Sequence, residues 1–187
     1  MTITKIDRKS ALIAIDLQKG ILDMADADDV ARIISKTTEL ANTFHELELP
    51  VIWVHALGLP KGRVESSPPP GEARPDFTEL HNELPVKEVD LKISKLGTNA
   101  FLSQELHSRL KEHDVTNVIV TGLALGGGVE STVRAGFDAG YSMTVALDAT
   151  TDTIPGRAEA VVKFTLPMFS ELGFTSEILR SLRNAQL

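Results

Sequence analysis

Residues 118–152 read VIVTGLALGGGVESTVRAGFDAGYSMTVALDATTD, and this stretch decides the fold class. It begins within an apolar run, residues 117–121, of the kind found in strands that are buried on both faces of a parallel sheet. After that run we predict a glycine-rich loop, a helix and a second strand, at residues 122–128, 129–139 and 142–147. A strand, a helix and a strand in this order predict two parallel strands joined by a right-handed crossover.

The same alternation extends in both directions along the chain. Residues 10–16 (SALIAID) form another apolar run, and residues 28–47 show a helical apolar stripe with Asp28 as the predicted N-cap. Further strands are predicted at residues 51–55 and 91–94, and further helices at residues 103–113, 157–164 and 175–182. We therefore predict one α/β domain over residues 1–187, a three-layer αβα arrangement in which helices cover both faces of a mostly parallel sheet.

The composition excludes several classes of protein. The formal net charge is −7 with no basic run, which argues against nucleic acid and anionic membranes as partners. The chain has no cysteine, which excludes disulfides, a thiolate nucleophile and a cysteine-ligated metal. Residues 1–10 do not resemble a signal peptide, and no apolar run approaches the roughly 18 residues of a membrane span. We expect a cytoplasmic protein.

A proline-rich segment interrupts the alternation. Residues 58–75 contain five of the nine prolines, namely Pro60, Pro68, Pro69, Pro70 and Pro75. We interpret this segment as one long surface loop, with a role as a lid or as an oligomer contact.

Two charged residues stand at the expected carboxyl ends of strands, where open parallel sheets bind ligands. Asp16 follows the first strand and Lys95 follows the third. Burial raises the pKa of such a carboxylate and a nearby cation lowers it, which suits a general acid or base. Lys95 is the candidate cation that holds Asp16 ionised or orients a substrate carbonyl. The alternatives are a turn role for Asp16 and a solvated lysine.

Three glycines, Gly126, Gly127 and Gly128, separate the central strand from the helix that starts at Val129. Their backbone N–H groups, next to a helix N-terminus, are candidates for an oxyanion or carboxylate cradle. The alternative is a flexible turn. The spacing matches neither a phosphate-binding loop nor a dinucleotide fingerprint.

His55 ends the second strand, where a site residue is expected, but no second His or Asp follows at metal-ligand spacing. We therefore predict no metal and no cofactor. A GxSxG nucleophile motif is also absent from the sequence.

Three segments resemble the isochorismatase-like hydrolase superfamily in order and spacing. They are residues 11–20 (ALIAIDLQKG), 79–101 (ELHNELPVKEVDLKISKLGTNAF) and 118–152. The resemblance implies that Asp16 is the catalytic aspartate and Lys95 the catalytic lysine. It also implies a cis peptide within residues 123–125. The substrate-binding residues that it implies are Gln18, His55, Phe101, Leu125, Gly127 and Val129.

The superfamily's nucleophilic cysteine precedes a Val-Glu pair, and Gly128 occupies that position here. Glycine offers no nucleophile. Isochorismatases proper also have glycine there and cleave a vinyl ether without a covalent intermediate. The resemblance therefore implies a catalytic set of Asp16, Lys95 and Gly128 that acts on a small carboxylated substrate, with C–O cleavage as the first hypothesis.

Two other interpretations remain open. One is hydrolysis of a C–N bond by water that Asp16 activates directly, and the other is a non-catalytic binding or assembly protein. Relatives assemble as oligomers, so the resemblance implies a homo-oligomer, a dimer or a tetramer. Residues 164–169 (FTLPMF) are apolar enough for an interface, although a core segment explains them equally well.

Overall fold

Six parallel strands form one sheet in the computed structural model, which describes residues 3–65 and 74–187. Their order across the sheet is β3-β2-β1-β4-β5-β6. The strands are β1 Ser10–Ile15, β2 Val51–Gly58, β3 Leu91–Leu96, β4 Asn117–Leu123, β5 Ser142–Thr151 and β6 Glu171–Gly173.

Helices cover both faces of this sheet. Helices α2 and α6 pack on one face, and α3, α4 and α5 pack on the other. The helices are α1 Lys19–Leu22, α2 Ala27–Glu46, α3 Gln104–Glu112, α4 Glu130–Asp138, α5 Arg157–Phe164 and α6 Thr175–Gln186. The predicted three-layer αβα architecture is confirmed.

The central strands β1 and β4 are apolar runs because both of their faces are covered. All six residues of β1 are buried. Ile13 and Ile15 join the core under α3, α4 and α5, whereas Leu12 and Ala14 join the core under α2 and α6. Alternate side chains of a strand point to opposite faces, so the run fills both cores at once.

The start of α2 differs from the prediction. The helix begins at Ala27, and the N-cap is Asp26, whose carboxylate accepts hydrogen bonds from the N–H groups of Asp28 and Asp29. Asp28 lies within the first turn, so its prediction as the N-cap was wrong. Asp26, Asp28 and Asp29 all fit the N-cap preference, and the residue with extended backbone, Asp26, takes the role.

The loop predicted at residues 122–128 also starts later than expected, because β4 continues through Gly122 to Leu123. Gly122 has a φ of +114°, and a Cβ atom there would lie 2.0 Å from the carbonyl oxygen of Ile15. Only glycine allows β1 and β4 to approach so closely in this conformation.

Two short elements carried no periodic signal in the sequence, namely α1 and β6. The centre of the proline-rich segment, residues 66–73, lies outside the described residues. No described helix has both the length and the apolarity needed to cross a membrane.

Candidate functional site

Asp16 and Lys95 form a buried ion pair at the carboxyl end of the sheet. Lys95 Nζ donates to Asp16 Oδ2 at 2.7 Å and to the carbonyl oxygen of Gly97 at 3.1 Å. The side chain of Lys95 is only 2% exposed, and that of Asp16 is 7% exposed. Asp16 directly follows β1 and has a φ of +54°, an uncommon conformation for a residue other than glycine. The structure thus brings together the two charged residues that the sequence singled out.

Burial raises the pKa of Asp16 to about 6, against the opposing effect of the Lys95 ammonium group. Lys95 donates a hydrogen bond to Asp16 Oδ2, whereas Asp16 Oδ1 is buried without a hydrogen-bond partner among the described residues. A carboxyl group with a pKa near 6 has an appreciable protonated fraction at neutral pH. Asp16 is therefore suited to donate a proton.

Gly128 brings the backbone of the glycine loop against this pair. A Cβ atom on Gly128 would lie 3.1 Å from Asp16 Oδ2 and 2.9 Å from Ile15 Cγ2. The space in which a side chain would start is therefore already occupied. Asp16, Lys95 and Gly128 converge as the resemblance implied, around a position that has no nucleophile.

The peptide N–H groups of the loop are largely engaged within the protein. Gly127 and Val129 both donate to the carbonyl oxygen of Ala124, at 2.9 and 3.2 Å. Gly126 donates to Asp152 Oδ2 at 2.7 Å. The peptide bond between Leu123 and Ala124 is cis. If the Gly127 or Val129 N–H were to bind an oxyanion, its hydrogen bond to the Ala124 carbonyl oxygen would first have to break.

Asp152 and Arg157 were missed by the sequence reasoning. The Asp152 carboxylate is 2% exposed and pairs with Arg157, whose Nη2 lies 2.7 Å from Oδ1. The side chain of Arg157 also fills the space beside Gly126, where a Cβ atom would lie 2.6 Å from Arg157 Cγ. Asp152 is the last residue of the stretch 118–152, but no spacing rule links an aspartate after a strand to a loop 26 residues earlier.

Gln18 is fully buried two residues after Asp16. Its Nε2 donates to the carbonyl oxygens of Ala56 and Phe77, both at 3.0 Å, and its Oε1 accepts from Ala56 N at 2.6 Å. The side-chain amide is therefore engaged by the backbone.

His55 lies on the sheet face opposite to Lys95. Its Nε2 is 2.8 Å from Ser94 Oγ, and strand alternation places Ser94 and Lys95 on different faces of β3. Burial, together with the charge of Lys95, lowers the pKa of His55. His55 lines a separate cavity of about 410 Å³ with residues of the segment 78–86.

Phe101 and Leu125 belong to the core between the sheet and α3, α4 and α5. The Phe101 ring packs against the rings of His107 and Tyr141, at centroid distances of 5.3 and 5.7 Å. Leu125 is 3% exposed in the turn before Gly128. Of these two, Leu125 is the one that lies within the glycine loop.

Across residues 3–65 and 74–187, no group of three or more His, Asp or Glu side chains is arranged to bind a metal ion.

Comparison with known proteins gives a consistent family. Residues 10–176 match the isochorismatase domain family. The uncharacterized isochorismatase family protein YwoC of Bacillus subtilis (strain 168) is 27% identical over 183 residues, covering 94% of this chain and 95% of YwoC. The ureidoacrylate amidohydrolase RutB of Stutzerimonas stutzeri is 26% identical over 201 residues, covering 91% of this chain and 80% of RutB.

The solved structures agree with the sequence matches. An isochorismatase family protein from Burkholderia thailandensis superimposes with a TM-score of 0.91 at 27% identity, covering 97% of this chain and all of that one. The family match spans most of the chain and includes both Asp16 and Lys95. The chain belongs to the isochorismatase family of hydrolases.

Proposed function

We propose that this protein hydrolyses a small carboxylated vinyl ether, cleaving a C–O bond without a covalent enzyme intermediate. The observation that supports this most directly is the buried Asp16 carboxyl group, whose pKa is raised to about 6 beside a position that offers no nucleophile. A raised carboxyl pKa favours proton donation, which is the step that a vinyl ether needs.

The proposed reaction starts with Asp16. Its carboxyl group protonates the terminal carbon of the enol ether, which leaves an oxocarbenium-like centre at the carbon that bears the ether oxygen. Water adds at that carbon and returns a proton to Asp16, and the hemiketal collapses to pyruvate and an alcohol. One substrate and one water thus give one pyruvate and one alcohol.

Lys95 has two roles in this proposal. Its ammonium group fixes the Asp16 carboxyl group through Oδ2, which leaves Oδ1 to carry the transferable proton. Its positive charge also favours the carboxylate that remains after proton transfer. Because Lys95 is itself tied to the Gly97 carbonyl oxygen, its position is defined before substrate binds.

The test is pyruvate release from isochorismate and from simpler enol-pyruvyl ethers. We expect release by the native protein and a loss of roughly 10²-fold or more in Asp16→Asn. Asp138→Asn is the matched control, because Asp138 is an exposed carboxylate on α4. Absence of pyruvate from every ether with the native protein would contradict vinyl-ether cleavage.

A second candidate is C–N hydrolysis by water that Asp16 activates. The observation that favours it is the similarity to ureidoacrylate amidohydrolases, at 26% identity for the relative from Stutzerimonas stutzeri. Ammonia release from ureidoacrylate and other amides, without pyruvate release from ethers, would select this candidate. The amide assay therefore runs beside the ether assay on the same preparation.

We also propose that the chain forms a homo-oligomer, a dimer or a tetramer. The segment 164–169 divides between core and surface, since Leu166 is fully buried while Phe164 and Met168 are 66% and 68% exposed. Phe137 of α4 is 48% exposed as well. Sedimentation velocity tests this, and a sharp monomer boundary at micromolar concentration would contradict it.

A further inference from the structure

Gln18 connects three segments of the chain through one side chain. It lies in the turn that follows β1, and its amide bonds both the N–H and the C=O of Ala56 near the end of β2. The same Nε2 donates to the carbonyl oxygen of Phe77, in the segment that packs on α1. All three bonds are made by a side chain with no exposed surface.

One of these segments contains Asp16, and a second pairs with β3, the strand that carries Lys95. Asp16 is two residues before Gln18, and Ala56 is the residue of β2 that pairs with Lys95 in the register between β2 and β3. A shift of Ala56 therefore shifts Lys95, and a shift of Gln18 turns the backbone of Asp16. The distance between Lys95 Nζ and Asp16 Oδ2 depends on both.

The turn at Asp16 needs such support. A positive φ at a residue other than glycine costs free energy and persists where the surrounding contacts over-determine it. The N–H of Asp16 donates to the carbonyl oxygen of Val54 at 2.8 Å, which fixes one side of the turn to β2. The Gln18 amide fixes the other side to the same strand.

We propose that Gln18 is a positioning residue that sets the Asp16–Lys95 geometry, and that it does not bind substrate. Its donors and its acceptor are already bonded to backbone groups that would be left buried and unpaired if Gln18 turned toward a ligand. This inference rests on the proposed function for its kinetic consequences, but the geometry of the pair is testable without any substrate.

The experiment compares Gln18→Met with Asn117→Leu. Both replacements remove a buried side-chain amide and keep similar apolar volume. Asn117 is 1% exposed and bonds Asp7 N, Ser142 O and Thr144 Oγ1, but it starts β4 at the opposite end of the sheet. A purely structural role for Gln18 would make the two variants behave alike.

The first measurement follows the carboxyl carbon of Asp16 by NMR across a pH titration. We expect its midpoint to rise by about half a pH unit or more in Gln18→Met, because Lys95 no longer sits where it lowers the pKa. In Asn117→Leu the midpoint should stay at the native value. A native midpoint in folded Gln18→Met would overturn the proposal.

The second measurement is steady-state kinetics on an enol-pyruvyl ether that the native protein cleaves. We expect kcat to fall about tenfold or more in Gln18→Met with KM nearly unchanged, since the ground-state contacts remain while the acid is misplaced. A raised KM with native kcat would instead make Gln18 a substrate-binding residue and overturn the proposal.

A second variant and a titration without substrate separate a failure of this proposal from a failure of the proposed function. If Gln18→Met does not fold, Gln18→Asn replaces it, because Asn keeps a neutral amide but is one methylene too short to make all three bonds to Ala56 and Phe77. The same rise in the Asp16 midpoint is expected there. If the native protein cleaves no ether, the proposed function fails while the NMR titration still decides the role of Gln18.

Discussion

Asp16 Oδ2 lies 3.1 Å from the position that a Cβ atom on Gly128 would occupy. Ile15 Cγ2 lies closer still, at 2.9 Å, and Ile15 is a fully buried β-branched residue that has little freedom to move. The glycine is therefore the residue that this packing requires, and the position is not an empty nucleophile pocket.

Gly128→Ala should destabilise the protein by about 1–3 kcal/mol, the usual cost of overpacking a filled core. The measurement is the midpoint and slope of urea unfolding. Gly62→Ala is the control, because nothing lies within 4 Å of a Cβ atom at that exposed position. Equal unfolding midpoints for Gly128→Ala and the native protein would contradict this, because they would show that the Ile15 side chain moves aside without loss of stability.

Gly128→Cys should not turn the protein into a cysteine amidase. The new side chain would begin in contact with Ile15 and Asp16, and the loop amides of Gly127 and Val129 remain bonded to Ala124. We expect no burst of acyl-enzyme with an activated amide or ester. A stoichiometric burst that iodoacetamide abolishes would contradict this expectation.

The pH dependence of kcat/KM should show a limb near pH 6 on which activity falls as pH rises. Burial raises the pKa of Asp16 to about 6, and the proposed mechanism uses the protonated form. Since kcat/KM reports the free enzyme, the midpoint of that limb should match the Asp16 titration followed by NMR. An activity that rises with pH through 6 would instead indicate that Asp16 acts as a base, as in the amide alternative.

Lys95→Met should raise the pKa of Asp16 further. The ammonium group is the cation that lowers this pKa against the effect of burial, so its removal leaves burial unopposed. The measurement is the carboxyl NMR titration, and Lys92→Met is the control because Lys92 is exposed on the other face of the same strand. An unchanged or lower midpoint would mean that the pair is not coupled as the geometry indicates.

The topology of the sheet made Asp16 and Lys95 candidates for one site, and the family resemblance implied that they act together. Parallel strands bring their carboxyl ends to one edge, so two residues 79 positions apart meet without any knowledge of register. The same rule placed Gly128 beside them. Apolar runs, which both faces of a covered sheet require, identified the strands themselves.

The side chains that the sequence placed less well depend on register and on tertiary contacts. His55 lies within β2, three residues before its end and not at its last residue as predicted. The face that it shares or does not share with Lys95 follows from the β2–β3 register, and a one-residue slip reverses it. The Phe101 ring packs in the core against Tyr141, which lies 40 residues later in the sequence. Asp28 and Asp26 are equivalent N-caps until the backbone conformation is known.

Asp152→Asn should loosen the glycine loop and lower stability at neutral pH. Burial raises the pKa of Asp152, but hydrogen bonds from Arg157, Gly126 and Ile154 more than offset this, so the net pKa lies below its ordinary value. An Asn side chain would direct its amide hydrogens toward some of these donors, and leaving one buried donor unpaired costs about 1–3 kcal/mol. The measurement is urea unfolding at pH 7, with the exposed Asp138→Asn as the control.

The sign of the pH dependence follows from the lowered pKa. The stability that ionised Asp152 contributes is fully present above 3.8, the ordinary pKa of an aspartate carboxyl group, and is lost as pH falls through the lower pKa of the folded state. The gap between the native protein and Asp152→Asn should therefore be widest at neutral pH and should narrow below pH 3.8. A gap that stays constant down to acid unfolding would mean that the Asp152 charge contributes nothing, and that Arg157 holds Gly126 by packing alone.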